Sequence, residues 1–369
     1  DKRTDLRDID LITVDGADAR DFDDAIWAEP DETGTNLNGW RLIVAIADVA
    51  NYVKLDDPLD VEAKTRGNSV YFPDRVVPML PAALSNGLCS LKPNADRACL
   101  AVEIVIDSHG KKKSHHFIRG LMRSKARITY DQLQSEFNSL QETGTETQIS
   151  NLASPLYGAF KSLLCARTDR GALEIEMPEM QIKLAENGQV EHITPRDRLD
   201  SHRLIEEFMI LANVCAAETL ENKKYTCVYR VHDSPNSDKV EALRLNLEGF
   251  DIKLSKGQVI TAKLFNQILK QAKGQDSQEM ISQLVLRSQS QAVYSANNLG
   301  HFGLGLRRYA HFTSPIRRYS DLLVHRALIS SHDFGSDSSI TPSPEELEPI
   351  CEQISKTERR AVVAERAAN

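Results

Sequence analysis

The sequence predicts a single α+β domain, on three observations. Strand-like runs crowd its first third and helical spacing fills the remainder, without the strand–helix alternation of a doubly wound sheet. No internal repeat is apparent along the 369 residues. A hydrophobic content of 41% against 27% charged residues suits a globular chain whose core needs no disulfide or metal staples.

The elements follow in order. Residues 11–14, 25–28 and 41–47 are apolar runs, and the polar stretch 31–39 between the last two reads as a hairpin loop. Residues 99–106 and 115–122 are strand candidates, and the lysine run 111–113 between them reads as a solvated turn. Thr129 with Gln132 predicts a capping box and a helix start. Residues 141–150 read as a loop, and helical spacing resumes over 155–165. A long amphipathic helix is predicted over 199–220, with Leu204, Phe208, Leu211 and Cys215 on one stripe. A polar gap at 272–278 precedes a helical stretch over 280–296. Ser314-Pro315 predicts a helix start, a hydroxyl N-cap followed by proline in the first turn, running through Leu328. Residues 332–341 read as a surface loop. Ser343, Pro344 and Glu346 open a last helix that reaches Glu365.

Six scattered cysteines include no Cys-x-x-Cys pair, so buried free thiols are expected rather than a zinc site or disulfides. No stretch has the length of a membrane span, and no signal peptide is visible. The start at Asp1 reads as that of a piece cut from a longer chain. The net charge of −8, taken alone, argues against a nucleic-acid partner.

Residues 13–26, TVDGADARDFDDAI, hold five aspartates in ten positions: Asp15, Asp18, Asp21, Asp23 and Asp24. Like charges so crowded need a positive counterpart, and Arg20 alone cannot balance them. Apolar residues on both sides place the cluster at a strand end beside a core, not in an acidic tail. Oxygen-only ligands favour a hard cation, Mg²⁺ or Mn²⁺, and such a site suits phosphodiester hydrolysis. The spacing lacks the alternate acids and central glycine of an EF-hand. An exposed acidic turn is the alternative.

The whole segment resembles the signature of the RNB (ribonuclease II/ribonuclease R) family. So do IADVANYV at 46–53, GNSVYFPDRVVPMLP at 67–81, LSNGLCSLKP at 84–93, SKARITY at 124–130, SHRLIEEFMILANVCAA at 201–217, YRVHDSP at 229–235, HFGLGLRRYAHFTSPIRRYSDLLVHRAL at 301–328 and ERRAVVAER at 358–366. The resemblance covers essentially residues 1–369 as one RNB-type catalytic domain, with a mixed β-sheet core surrounded by helices and an internal RNA channel. It implies a cytoplasmic, monomeric, processive hydrolytic 3′-to-5′ exoribonuclease that releases nucleoside 5′-monophosphates from single-stranded RNA. Family members also carry flanking oligonucleotide-binding domains, none of which is visible in this sequence.

By the same resemblance Asp15, Asp21, Asp23 and Asp24 are the metal-site acids, with Asp23, Asp24, Arg317 and Glu365 at the reaction centre. Asp18 is read as a turn residue. On an extended chain Asp21 and Asp23 share a face, and Asp24 points elsewhere unless the chain turns. Tyr71 occupies the family's base-stacking position, and stacking accepts every base. Arg317 resembles the arginine that contacts the scissile phosphate, and a place in a helix's first turn would favour that role. Arg318 is a further RNA contact or an i+3 partner of Asp321. Tyr309, His311, Thr313 and Ser314 are assigned to the phosphate path, with packing as an equal reading of His311. Glu207 and Asn213 are assigned to ribose or backbone contacts, and Glu206 could instead be the inward-facing acid. Ile175 stands where many bacterial relatives carry a base-stacking Phe, which suggests an aliphatic clamp. Two rival functions are a catalytically inactive RNA-binding scaffold and a metal phosphoesterase acting on DNA or small phosphodiesters.

Overall fold

The computed structural model describes residues 3–175, 177, 179–184, 190–335 and 342–368. The strands are β1 (Thr4–Asp5), β2 (Ile12–Asp15), β3 (Asp24–Pro30), β4 (Trp40–Ala47), β5 (Val70–Tyr71), β6 (Val76–Val77), β7 (Asp96–Ile106), β8 (Lys112–Arg123), β9 (Ala126–Thr129), β10 (Glu179–Leu184), β11 (Val190–Arg196), β12 (Tyr229–Val231) and β13 (Val293–Ser295). The α-helices are α1 (Pro58–Arg66), α2 (Tyr130–Thr143), α3 (Gln148–Arg170), α4 (Asp200–Asn222), α5 (Ser237–Glu248), α6 (Ala262–Ala272), α7 (Gln278–Ser288), α8 (Tyr319–Ser331) and α9 (Pro344–Ala368). The predicted α+β class holds, with strands early and helices late.

A seven-stranded sheet in the order β1-β8-β7-β4-β3-β2-β9 forms the centre. It is mixed: β2 pairs in parallel with β9 and antiparallel with β3, and the hairpin joining β3 to β4 sits where the sequence placed it. Its central strands are rich in Val, Ile, Leu and Ala and buried on both faces, as expected for a sheet covered by helices. On α4, Leu204, Phe208 and Cys215 are buried in this main core, and Leu211 packs partly against it. A second, separate core lies within α5–α7 and the turns between them, built on Leu243, Leu247, Ile252, Phe265, Ile268, Ile281 and Val285.

The capping boxes at Thr129/Gln132 and Ser343/Glu346 form as predicted, each with both reciprocal hydrogen bonds. Several expectations need correction. The loop expected at 141–150 shrinks to four residues, because α2 runs to Thr143 and a reciprocal Thr147/Ser150 cap starts α3 at Gln148, leaving Pro155 inside the helix. The helix expected over 280–296 stops at Ser288, where Gln289 turns extended and Val293–Ser295 pairs with β12. Lys112 is not solvated: it lies in β8 and reaches Glu218 on α4 at 2.9 Å. All six cysteines are free, but Cys165 is exposed. Of the loop expected at 332–341, residues 336–341 lie outside the described set.

Ser314-Pro315 does not open a helix. Residues 314–317 form a turn with two N–H groups taken by carboxylates and a third by its own carbonyl: Asp321 Oδ1 accepts from Ser314 N at 2.8 Å, Asp23 Oδ1 from Ile316 N at 2.9 Å, and the Ser314 carbonyl from Arg317 N. Arg318 is extended and bridged to Asn68, so α8 begins only at Tyr319. Tertiary pairing has overridden a strong local signal. Nearby, Gly67 ends α1 at a φ of +75°, and a Cβ there would lie 2.0 Å from Thr357 Oγ1. The glycine lets the chain before β5 pass tightly beside α9.

Candidate active site

The site grows from the hairpin between β2 and β3. Asp15 closes β2, Asp24 opens β3, and the connection carries Asp21 and Asp23. Phe22 alternates with the latter two, is buried in the core, and anchors the segment. Burial of such a ring contributes about 1.5–3 kcal/mol. Its N–H donates to Ser90 Oγ, its carbonyl accepts from Leu91 N, and the Asp23 carbonyl accepts from Ala47 N. Asp18 and Arg20 are exposed, as befits turn residues, and Ala19 N closes the turn on the Gly16 carbonyl.

One cation faces all four inner acids. Arg317 interacts electrostatically with Asp15, Asp21, Asp23 and Asp24, and its Nε lies 3.8 Å from Asp23 Oδ2. Burial and mutual repulsion outweigh that attraction. Burial, then Asp21, pushes the Asp15 carboxyl up to about 6. Burial, then Asp15, pushes Asp24 up to about 8. Burial also raises Asp21, and it raises Asp23 well above the usual carboxylate range. Asp24 thus joins the cluster rather than pointing away.

Carboxylates so crowded repel one another, and a divalent cation among them would relieve that repulsion. The donors are all oxygens, and Asp15 Oδ2 is a buried oxygen without a hydrogen-bond partner among the described residues. By donor type the site fits a hard cation. Among the described residues no three His, Cys, Asp or Glu side chains are already set as a ligand group.

Arg317 is 43% exposed, donates from Nη2 to Ser314 Oγ at 3.0 Å, and is held through its carbonyl by Ser69 N. It lies in a turn, so the helix-terminus argument for its role falls away and the proximity to the four acids replaces it. Tyr71 joins the same site: it is 40% exposed, and its hydroxyl is pushed up to about 12 by burial, with Arg317, Asp21 and Asp23 all near enough to act on it. Glu365 arrives from α9 and accepts a hydrogen bond from Tyr71 N at 2.8 Å.

The remaining assignments divide. Arg318 grips Asp321 with two hydrogen bonds of 2.9 and 2.8 Å, the i+3 pairing foreseen, which occupies much of its fork. Asn213 donates to Tyr309 Oη and accepts from Phe312 N, two bonds that tie α4 to the 309–312 segment. Glu207 is the inward-facing acid, but it is buried between Arg167 at 2.6 Å and Arg170 at 2.9 Å, while Glu206 is more exposed and pairs with Arg198. His311 Nδ1 meets Tyr294 Oη at 2.9 Å, and burial drives its pKa well below the ordinary histidine value, which favours the packing reading. Tyr309, Thr313 and Ser314 are buried beside it. Ile175 is partly buried against the second core.

Sequence reasoning overlooked Arg127, which holds the carbonyls of Gly16 and Ala17 behind the cluster. The only available signal was its place within the SKARITY segment.

A family model described as RNB domain matches residues 3–331. The chain is 44% identical over 370 residues to ribonuclease R of Vibrio parahaemolyticus, covering 97% of this chain and 44% of that protein. It is 40% identical over 373 residues to ribonuclease R of Escherichia coli K12, covering 99% of this chain and 45% of that protein. Among solved structures it is similar to Mycoplasma genitalium RNase R in complex with ribose methylated single-stranded RNA. There the TM-score is 0.90 at 34% identity, over 100% of this chain and 57% of that one. The chain spans less than half the length of the two curated relatives. With a match over most of its length and the fold to go with it, this chain belongs to the RNB domain family.

Proposed function

We propose that the chain is the catalytic part of a processive 3′-to-5′ exoribonuclease that hydrolyses single-stranded RNA to nucleoside 5′-monophosphates. The observation that carries this reading is the convergence of Asp15, Asp21, Asp23 and Asp24 on one exposed arginine, Arg317, beside an exposed tyrosine. Asp15, Asp21, Asp23 and Asp24 would hold Mg²⁺ or Mn²⁺, which when bound supplies water activation and neutralises phosphate charge.

The chain's own groups do the rest. The Arg317 guanidinium, kept in place by Ser314 and by the Ser69 link, grips the scissile phosphate and stabilises charge that grows on it. Tyr71 stacks on the terminal base irrespective of its identity. Glu365 fixes the Tyr71 backbone and so sets where that base stops. The intact acid cluster speaks against an inactive scaffold, which has no use for carboxylates so crowded.

The net charge of −8 is compatible with RNA, because half of that excess can be assigned to the four acids a cation would neutralise. In the full-length protein, flanking oligonucleotide-binding domains supply most of the basic and aromatic RNA surface. We place the protein in the cytoplasm as a monomer. Among the described residues no helix is long and apolar enough to cross a membrane.

The test is digestion of 5′-labelled single-stranded RNA and matched DNA with Mg²⁺ or EDTA. A ladder receding from the 3′ end, on RNA only and absent with EDTA, is expected. Equal cleavage of DNA, or none of either, removes the assignment. Arg317→Ala is expected to lower kcat by about 10²–10³-fold, with little change in melting temperature because the side chain is half exposed. Single-turnover kinetics at saturating RNA check it.

A further inference from the structure

We propose that Arg127 is a positioning residue that fixes the Asp15 end of the acid cluster in the arrangement a divalent cation requires. The inference deepens the cation-dependent nuclease reading and rests on it.

Arg127 sits on β9, in parallel register opposite Thr13 of β2. Thr13 and Asp15 are two residues apart on β2, so their side chains leave the sheet on the same face, and the register puts that of Arg127 there too. From this position Arg127 Nη2 donates to the carbonyls of Gly16 at 2.8 Å and Ala17 at 2.7 Å. The guanidinium also covers the Phe22 ring, 5.5 Å from its centroid. One side chain therefore touches the beginning of the connection and the core anchor that precedes Asp23.

Three buried polar atoms of this face have no hydrogen-bond partner among the described residues: Thr13 Oγ1, Asp15 Oδ2 and Arg127 Nε. Two are oxygens and one is a cationic donor. A set so matched in polarity is a built polar site rather than a packing defect. Arg317 and Arg127, which both act on Asp15, divide their work. Arg317 is exposed and free to meet a phosphate, whereas Arg127 is half-buried and committed to the hairpin's carbonyls. Its positive charge acts on Asp15 as well. Arg127 thus offsets repulsion among the acids without competing for the substrate.

The test uses Mn²⁺ alone as probe, titrated into the chain without RNA and read by electron paramagnetic resonance. Arg127→Met is expected to weaken Mn²⁺ binding by about tenfold or more, the scale of a lost partner behind a metal ligand. The Mn²⁺ concentration for half-maximal RNA hydrolysis should rise by a similar factor, with KM for RNA within twofold of the parent. Arg127→Lys keeps the charge but cannot grip both carbonyls, and should fall between. If Arg127→Met folds by circular dichroism and binds Mn²⁺ like the parent, the inference is overturned while the nuclease reading stands. If Arg127→Met fails to fold, parental Mn²⁺ binding by Arg127→Lys overturns it equally. If the unsubstituted chain binds no Mn²⁺, the cation reading itself fails and takes the inference with it.

Discussion

Asp23→Asn should cut RNA hydrolysis by about 10³-fold, at the upper end for removal of a group that organises transition-state charge, while RNA binding stays within a few fold. The substitution is chosen for what it preserves. The Asp23 carboxylate accepts from Ile316 N at 2.9 Å, and the asparagine carbonyl oxygen can accept the same bond. The backbone carbonyl of residue 23 still accepts from Ala47 N. The turn that carries Arg317 therefore keeps its place, and only the negative charge facing Arg317 disappears. A filter-binding titration beside single-turnover hydrolysis checks both halves. Loss of binding in proportion to activity would mean that Asp23 orders the turn rather than the chemistry. Crowding of the acids also makes a stability loss unexpected, because one fewer buried like charge relieves repulsion.

Asp48→Asn is the opposite case, an expected loss of stability by about 3–5 kcal/mol. Asp48 is 1% exposed and receives Arg119 Nε and Arg3 Nη2, each at 2.8 Å, with Arg119 buried and Arg3 partly so. Its carboxylate caps the short turn after β4 by accepting from Asn51 N. Burial raises its pKa, but Arg119 and Arg3 outweigh that and hold it below the ordinary value. The sign of the pH effect follows. A depressed folded-state pKa adds stability that is fully present above the unfolded value, about 3.9, and is lost as pH falls through the folded one. The gap in melting temperature between parent and Asp48→Asn should stay level from neutrality to about pH 5 and narrow below about pH 4. A gap unchanged at low pH would show that the carboxylate's charge is not what stabilises the fold.

The acid cluster was legible because its chemistry is local. Five aspartates between two apolar runs predict a carboxylate cluster at a strand end whatever the rest of the chain does, and four of them face Arg317. Arg317 and Glu365 lie some 300 and 340 residues further on, and no spacing rule links them to Asp23. The family resemblance supplied those links. Misreadings fell where distant partners decide local structure. Ser314-Pro315 has a helix-start sequence, yet Asp23 and Asp321 take two of the turn's N–H groups and Asn68 bridges Arg318. Val293–Ser295 continues a helical pattern until β12 pairs with it. The assignments of Glu207 and Asn213 to RNA are a different matter: both already have partners within the fold, Arg167 and Arg170 for the first and Tyr309 and Phe312 for the second, which helix spacing alone does not reveal.

The separate core of α5–α7 has a consequence for how this chain bears substitution. The buried apolar residues of the three helices, Leu243, Leu247, Phe265, Ile281 and Val285 among them, form a cluster apart from the main core. A substitution there can be compensated by its own neighbours, with no adjustment near the acid-bearing hairpin. A cavity made in that cluster should therefore lower local stability and leave the catalytic geometry in place.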